Sequence, residues 1–462
     1  MIRPPTRRDL FRSGAAAGAA TGLGTVLARP ASADDAPQRG GDESPMTEVP
    51  FEPHDEVRLA VIGTGQRGAD MLDRFLQING VRVTALCDLE QDRADAAADA
   101  VEEAGGERPA VHAGSTDAWE ELTARDDVDL CYIATPWEWH HPQAKDAMEH
   151  GMHAAVELPI AVTLDDIWDL VRTSERTRKH CMLMENVNYG QEEMRVLMMA
   201  KEGLFGDLLH GSGGYVHDLR DPFLFHGAYH PEDWRRAWQT KMNASHYPMH
   251  GLAPITAAMD INRGDRLDRL VSFSSPALSL TEYRAENLDS DHPAWQDDYI
   301  SGDRNVCLLS TAAGRMIRVD HDVNTPHPQT RANTLGGTRG VWMSDPQRIY
   351  LESLDHDDHE WRDFDEAYEK YDHWLWKEIG DEGGGHGGMD YILQWRTIQL
   401  MRLGLTPDID VYDSASLSSL VPLSESSLES GGSVPVPDFT RGHWKNARPG
   451  LERERPDDPE LD

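Results

Sequence analysis

The chain is poor in lysine and cysteine and carries no long apolar run. Lysine occurs only at Lys145, Lys179, Lys201, Lys241, Lys370, Lys377 and Lys445, against 81 acidic residues and a formal net charge of -37. Such a surface repels phosphate backbones and anionic lipid, which excludes nucleic acid and a membrane surface as main partners and leaves a small neutral one. Acid spread along the whole chain, combined with scarce lysine, suggests adaptation to high salt, where screening removes the self-repulsion. Cys87, Cys131, Cys181 and Cys307 lie far apart without a metal-ligand spacing. Cys87 and Cys131 fall in strand-like runs, so buried thiols are expected rather than a disulfide framework.

What is present divides the 462 residues into five stretches. Residues 1–33 read as a twin-arginine export signal: Arg7 and Arg8 precede Leu10 and Phe11, a weakly apolar Gly/Ala run follows, and Ala31–Ala33 offers a small-residue cleavage site. That run is too short and glycine-rich to span a membrane, so an extracellular or cell-envelope location is expected. Residues 34–54, rich in Asp, Pro, Gly and Glu, have the composition of a linker. From 55 to 189, strand-like runs such as "VRLAVIG", "VRVTALCD", "VDLCYIATP", "HAAVELP" and "HCMLMENVNY" alternate with helical patterns, which predicts an α/β Rossmann domain. From 190 to 445, longer hairpin-like stretches predict an α+β domain with a mainly antiparallel sheet, and 446–462 is a charged, proline-punctuated tail.

"VIGTGQRG" sets Gly63, Gly65 and Gly68 directly after a strand and at the start of a helix. In a G-x-G-x-x-G turn the first glycine allows the tight bend, the second lets backbone approach a pyrophosphate, and the third lets the helix sit close. Asp88 ends the second strand, where a carboxylate binds both ribose hydroxyls and repels a 2′-phosphate, so NAD is the expected cofactor. Gln66, Arg67, Thr135 and Asn186 join the residues expected to contact it. In "ATPWEWHHPQA", Trp137 and Trp139 can flank nicotinamide or ribose with His140 bonded nearby. Glu157, in the apolar run "AAVELPIAVT", ends the following strand at the same edge and therefore points into the crevice.

In that order "VIGTGQRG", "CDL", "ATP" and E-x-P resemble the glucose-fructose oxidoreductase and inositol dehydrogenase (Gfo/Idh/MocA) family. Most dehydrogenases of that family carry E-K-P, whose lysine bonds the reacting hydroxyl; here Leu158 takes its place, and an aliphatic side chain moves no proton. Longer stretches, among them "TPWEWH", "MLMENVNY", "EGLFGDLLHGSGGYVHDLR", "YPMHGLAPI" and "GHGGMD", resemble glycoside hydrolase family 109, the NAD-dependent alpha-N-acetylgalactosaminidases. The resemblance implies glycoside cleavage through a redox detour. NAD oxidises the C3 hydroxyl, the ketone acidifies the C2 proton, elimination expels the aglycone, water adds, and the hydride returns.

The same resemblance assigns Glu157, Tyr189, Tyr247 and His250 to catalysis, with His250 at the C3 hydroxyl and Tyr189 nearer C2. It makes Arg235, Tyr247, His250 and Gln329 the sugar contacts, Gln329 standing where the glycosidases carry tyrosine. His386 in "GGGHGGMD" belongs to a glycine loop able to approach a ligand closely. A metal set drawn from His217, Asp218, His226 and His230 matches no compact ligand motif, so no metal is expected. Carbohydrate is the expected partner, and subunit pairing through the open face of the second sheet, frequent in the family, makes a homo-oligomer the expectation. The alternatives are an NAD-dependent sugar or cyclitol oxidoreductase and a non-catalytic sugar-binding Rossmann protein.

Overall fold

The computed structural model describes residues 37–225, 234–353, 360–364, 366–380 and 383–456. The expected export signal at 1–33 lies outside them, as do His226 and His230. The first layer starts from β1 (Val57–Ile62), buried along nearly its whole length because helices cover both faces of its sheet. The chain continues through α1 (Gln66–Phe75), β2 (Val81–Asp88), α2 (Gln91–Glu103), β3 (Ala110–Ala113), α3 (Ala118–Thr123), β4 (Leu130–Ile133), α4 (Trp137–Glu149), β5 (His153–Val156), α5 (Leu164–Thr177) and β6 (Cys181–Leu183). In α1 the buried residues are Gly68, Met71, Leu72 and Phe75, the i, i+3, i+4, i+7 stripe of a helix lying on a sheet. All the strand pairs are parallel, in the order β3-β2-β1-β4-β5-β6. The order reverses between β1 and β4, and the crevice beyond their carboxyl ends is where such sheets bind ligands.

The second domain contributes α6 (Gln191–Lys201), β7 (Leu208–Val216), α7 (Trp234–Lys241), α8 (Met249–Ala258), β8 (Leu267–Ser274), α9 (Ser279–Asn287), β9 (Asn305–Thr311) and β10 (Met316–Asp322). The short strands β11 (Thr334–Gly337), β12 (Gly340–Ser344), β13 (Gln347–Leu351) and β14 (Arg362–Asp363) follow, then α10 (Trp374–Glu378), α11 (Met389–Arg402), α12 (Val411–Ser418), α13 (Leu420–Ser430) and β15 (Val434–Pro435). The sheet runs β14-β13-β12-β11-β7-β10-β9-β8-β15. Its pairs are antiparallel except β7 with β10. Helix α8 lies directly on β7 because glycines meet there: a Cβ on Gly213 would come 2.1 Å from the Gly251 carbonyl oxygen.

The late helices return to the first domain, α11 packing on α1 and α12 on α5 and β6. Sequence composition misplaces two segments. Residues 37–54 are no linker: Met46 and Phe51 are buried, the Met46 N–H donates to the Tyr412 hydroxyl at 3.0 Å, and Phe51 meets the rings of His153 and His180 edge-on. The tail is anchored as far as it is described, through Arg448 on Asp410 at 2.6 Å and the buried Leu451. Both strips are polar around a few anchoring side chains, so composition alone reads them as free. The four cysteines are buried and unpaired.

Candidate active site

One cavity of about 310 Å³ crosses the carboxyl ends of the first sheet, from Ser115, Thr116 and Trp119 beyond β3 to Glu157 beyond β5. The glycine turn forms its floor. Gly63 takes φ 87°, and a Cβ on Gly68 would lie 1.8 Å from the Gly63 carbonyl oxygen, so only glycine lets α1 start this close to the turn. No side chain caps the first turn of α1, and Gly65, Gln66 and Arg67 line the cavity, which leaves the helix N-terminus open to an anion. Asp88, at the end of β2, accepts from the Thr64 N–H at 2.7 Å and the Glu90 N–H at 2.9 Å and is held in the wall. Glycine cradle, open helix start and fixed carboxylate fit NAD.

Glu157 closes the other end. Its Oε1 accepts from Arg67 Nε at 2.8 Å and from the buried Tyr132 hydroxyl at 2.7 Å. The cation beside Glu157 is thus the guanidinium of the nucleotide turn, while Leu158 lines the cavity as an apolar group. Arg67 also forks onto Asp390 at 2.9 and 3.1 Å, and Asn186 donates to the same carboxylate at 2.8 Å. Burial works against the charge of Asp390, yet the His386 hydrogen bond and Arg67 hold its carboxyl well below the usual range.

The second domain supplies a cluster of rings. Tyr215 on β7, Tyr247 just before α8 and His250 on α8 have centroids 4.9 to 5.2 Å apart in every pairing. His250 Nδ1 donates to Glu185 Oε1 at 2.7 Å, and the Glu185 side chain is wholly buried. A carboxylate only accepts, so the Nδ1 proton is fixed and Nε2 is left as the acceptor. Burial pushes the Tyr247 phenol well above its ordinary value against the pull of Arg235, which keeps it a donor. The Arg235 guanidinium lies 5.2 to 5.8 Å from the ring centroids of Tyr247, Trp234 and Trp137, an aromatic and cationic wall suited to a polyol.

Gly63, Gly65, Gln66, Arg67, Asp88, Thr135, Trp137, Trp139, His140, Glu157, Asn186, Arg235, Tyr247 and His250 all line this cavity. Three expected residues do not: Gly68, which packs against the Gly63 carbonyl beneath the turn, Tyr189 and Gln329. Tyr189 is buried in the core with its hydroxyl 3.4 Å from Asp408 Oδ2, beside the Arg396–Asp408 ion pair. It ends a short 3-10 turn, Asn186–Tyr189, that rotates its side chain away from that of Asn186. Gln329 is exposed in the loop after β10. His140 braces the wall, its ring nitrogens 2.6 and 2.7 Å from the carbonyls of Pro159 and Thr135. Sequence reasoning passed over Tyr215, Glu185, Trp234 and Asp390. The signal for Tyr215 was "GSGGYVHD": glycines inside a strand mark close backbone approach, here of the helix that carries His250.

Among the described residues no group of three or more His, Cys, Asp or Glu side chains could hold a metal ion. Nor is any described helix long and apolar enough to cross a membrane. Residues 57–185 match the oxidoreductase family with an NAD-binding Rossmann fold, and residues 189–446 match the glycosyl hydrolase 109 C-terminal domain. A glycosyl hydrolase family 109 protein of Streptomyces coelicolor is 52% identical over 458 residues, covering 97% of this chain and 96% of its own. One from Shewanella baltica is 46% identical over 402 residues, covering 86% of this chain and 87% of its own. Among solved structures, levoglucosan dehydrogenase in complex with NADH and levoglucosan superposes with a TM-score of 0.64 at 16% identity, over 83% of this chain and 100% of that one. At that identity the likeness is one of fold.

Proposed function

The chain belongs to glycosyl hydrolase family 109, an NAD-dependent, sugar-acting group built on the Rossmann fold, and from that premise we propose that it is an exported glycosidase acting on alpha-N-acetylgalactosaminides. The observation that carries the reading is the Tyr215–Tyr247–His250 cluster opening on the same cavity as the glycine turn and Glu157. NAD held by the glycine turn, Asp88 and Glu157 would supply reversible hydride acceptance, a chemistry that leaves no net oxidation of the sugar.

The side chains supply proton handling and orientation. His250, with Nδ1 tied to Glu185, takes the C3 hydroxyl proton on Nε2, and the buried carboxylate stabilises the imidazolium that forms. Tyr215 takes the place expected of Tyr189, beside C2: as a phenolate it would take the C2 proton, acidified once C3 is a ketone, and give it back to the departing aglycone oxygen. Tyr247 stays a phenol and donates to the oxyanion that develops as C2 loses its proton. Arg235 and the tryptophans hold the ring and its acetamido group. Glu157, fixed by Arg67 and Tyr132, would orient the nicotinamide end of the cofactor. The aliphatic Leu158 disfavours a plain alcohol dehydrogenase that relies on a lysine at this position.

The test is turnover of an aryl alpha-N-acetylgalactosaminide in high salt. Phenol release without accumulation of NADH, together with deuterium uptake at C2 in heavy water, is the expected result. Stoichiometric NADH from a free sugar with no phenol released would replace this reading with a sugar oxidoreductase.

A further inference from the structure

The glycine loop before α11 contributes nothing to the chemistry above, yet it is fastened to it. Gly384, Gly385, His386, Gly387 and Gly388 have φ of 68°, 76°, 45°, 69° and 95°. Glycine adopts such angles freely, whereas a side chain there strains the backbone. His386 is the single residue of that run bearing a Cβ, so the loop tolerates strain to keep an imidazole at this point. Its Nδ1 donates to Asp390 Oδ2 at 2.7 Å.

Asp390 is the knot of the arrangement. It receives His386 from the loop, the Arg67 fork from the nucleotide turn and Asn186 from the segment between the domains. Arg67 in turn holds Glu157. Arg67, Asn186, Glu157 and His386 all line the cavity, while Asp390 stays buried behind them. The loop rests against α1, because a Cβ on Gly385 would come 2.2 Å from Arg74 Nε and 2.8 Å from Asp390 Cβ. A strained loop thus contributes His386 to the cavity wall and is pinned through that side chain to the residues expected to hold the cofactor.

We propose that His386 and Asp390 form a latch that retains NAD, with His386 a positioning residue that keeps the glycine loop closed over the Glu157 end of the cavity. The proposal rests on the NAD site and on a reaction that returns its hydride, since such a cycle gains nothing from cofactor exchange. Retention is also what an exported enzyme needs, away from any coenzyme pool.

The experiment loads the full chain with labelled NAD in high salt and follows label release after dilution into excess unlabelled NAD. His386→Gly keeps the backbone relaxed and removes the donor. His386→Asn tolerates the left-handed conformation and keeps an N–H for Asp390. H386G is expected to release NAD roughly tenfold faster than the parent, a barrier change of about 1.4 kcal/mol, with its melting temperature unchanged, and H386N to stay within about threefold of the parent. Release from H386G at the parent rate, or from both variants equally fast, would overturn the latch. No glycoside enters the measurement, so failure of the glycosidase reading leaves its outcome intact.

Discussion

Glu185→Gln is the substitution that most directly tests how the proposed base is made. The Glu185 Oε1 that accepts from His250 also accepts from the Val187 N–H at 2.9 Å, and its second oxygen is buried without a hydrogen-bond partner. Glutamine can keep the bonded oxygen in place and so preserve the tautomer while removing the charge. What is lost is stabilisation of the imidazolium. Coulomb's law at an effective dielectric near 20 gives about 4 kcal/mol for charges ~4 Å apart, and charged hydrogen bonds are worth about 1.5–3 kcal/mol. A value near 3 kcal/mol converts to roughly a hundredfold fall in kcat. Because the carboxylate acts through His250 and touches no sugar, KM should move less than about threefold. The assay is phenol release from an aryl glycoside in high salt, with cofactor content measured on the same sample. In a His250→Ala background, E185Q should cost almost nothing further, since the group it serves is gone. A kcat within threefold of the parent, or full additivity with H250A, would refute this account of the dyad.

Tyr215→Phe should lower kcat by roughly a hundredfold with NAD content unchanged, whereas Tyr189→Phe should leave kcat within about threefold and cost about 1 kcal/mol of stability through its lost hydrogen bond; the reverse pattern in the same assay would restore Tyr189 to the site. Burial, reinforced by Glu193, pushes the Glu192 carboxyl up to about 7 while Trp342 Nε1 donates to it at 2.9 Å. A raised acid costs nothing below its unfolded value near 4.3 and its full penalty above the folded one, so Glu192→Gln should stabilise by about 2 kcal/mol at pH 8 and not at pH 4. Denaturant titrations at the two pH values check this, and an equal gain at both contradicts it. With a net charge of -37, the chain should unfold and lose activity as salt is dialysed away; far-UV circular dichroism and turnover in dilute buffer are the measurements, and full activity there ends the idea of salt adaptation.

The Rossmann half was legible because its signals are local. A period-two apolar run, three glycines at fixed spacing and an acid twenty residues on lie within one βαβ unit, and backbone sterics alone dictate them. The sugar side was only half legible. His250 and Tyr247 share one short stretch, but Tyr215 meets them through a glycine-to-glycine contact between β7 and α8, a pairing no local window contains. Tyr189 misled for a related reason: it follows Asn186 so closely that one motif seemed to place both, yet a single 3-10 turn sends Asn186 to Asp390 and Tyr189 to the core. Residues 37–54 were misread because composition reports average polarity, while docking rests on a few anchors such as Met46 and Phe51.

The loss of the strand-end lysine has a consequence that runs through the whole site. With Leu158 in its place, the cation nearest Glu157 is Arg67, whose guanidinium is raised well above its ordinary value by Glu157 and Asp390 despite its burial. A group that never deprotonates can orient a carboxylate but cannot relay a proton. Proton transfer then has to come from elsewhere, and the facing imidazole with a fixed tautomer is His250, carried by the other domain. In the proposed reaction the residues that would hold the cofactor and the imidazole that would accept the proton belong to different domains, so turnover should depend on how the two domains are held. Arg67, bonded to Glu157 on one domain and to Asp390 on the other, ties the two together beside the packing of α11 on α1 and of α12 on α5 and β6. Arg67→Lys keeps the charge but cannot make both contacts in the same fork, and should reduce kcat by about tenfold or more while the fold survives. Unchanged turnover in R67K would mean that the domains are positioned by packing alone.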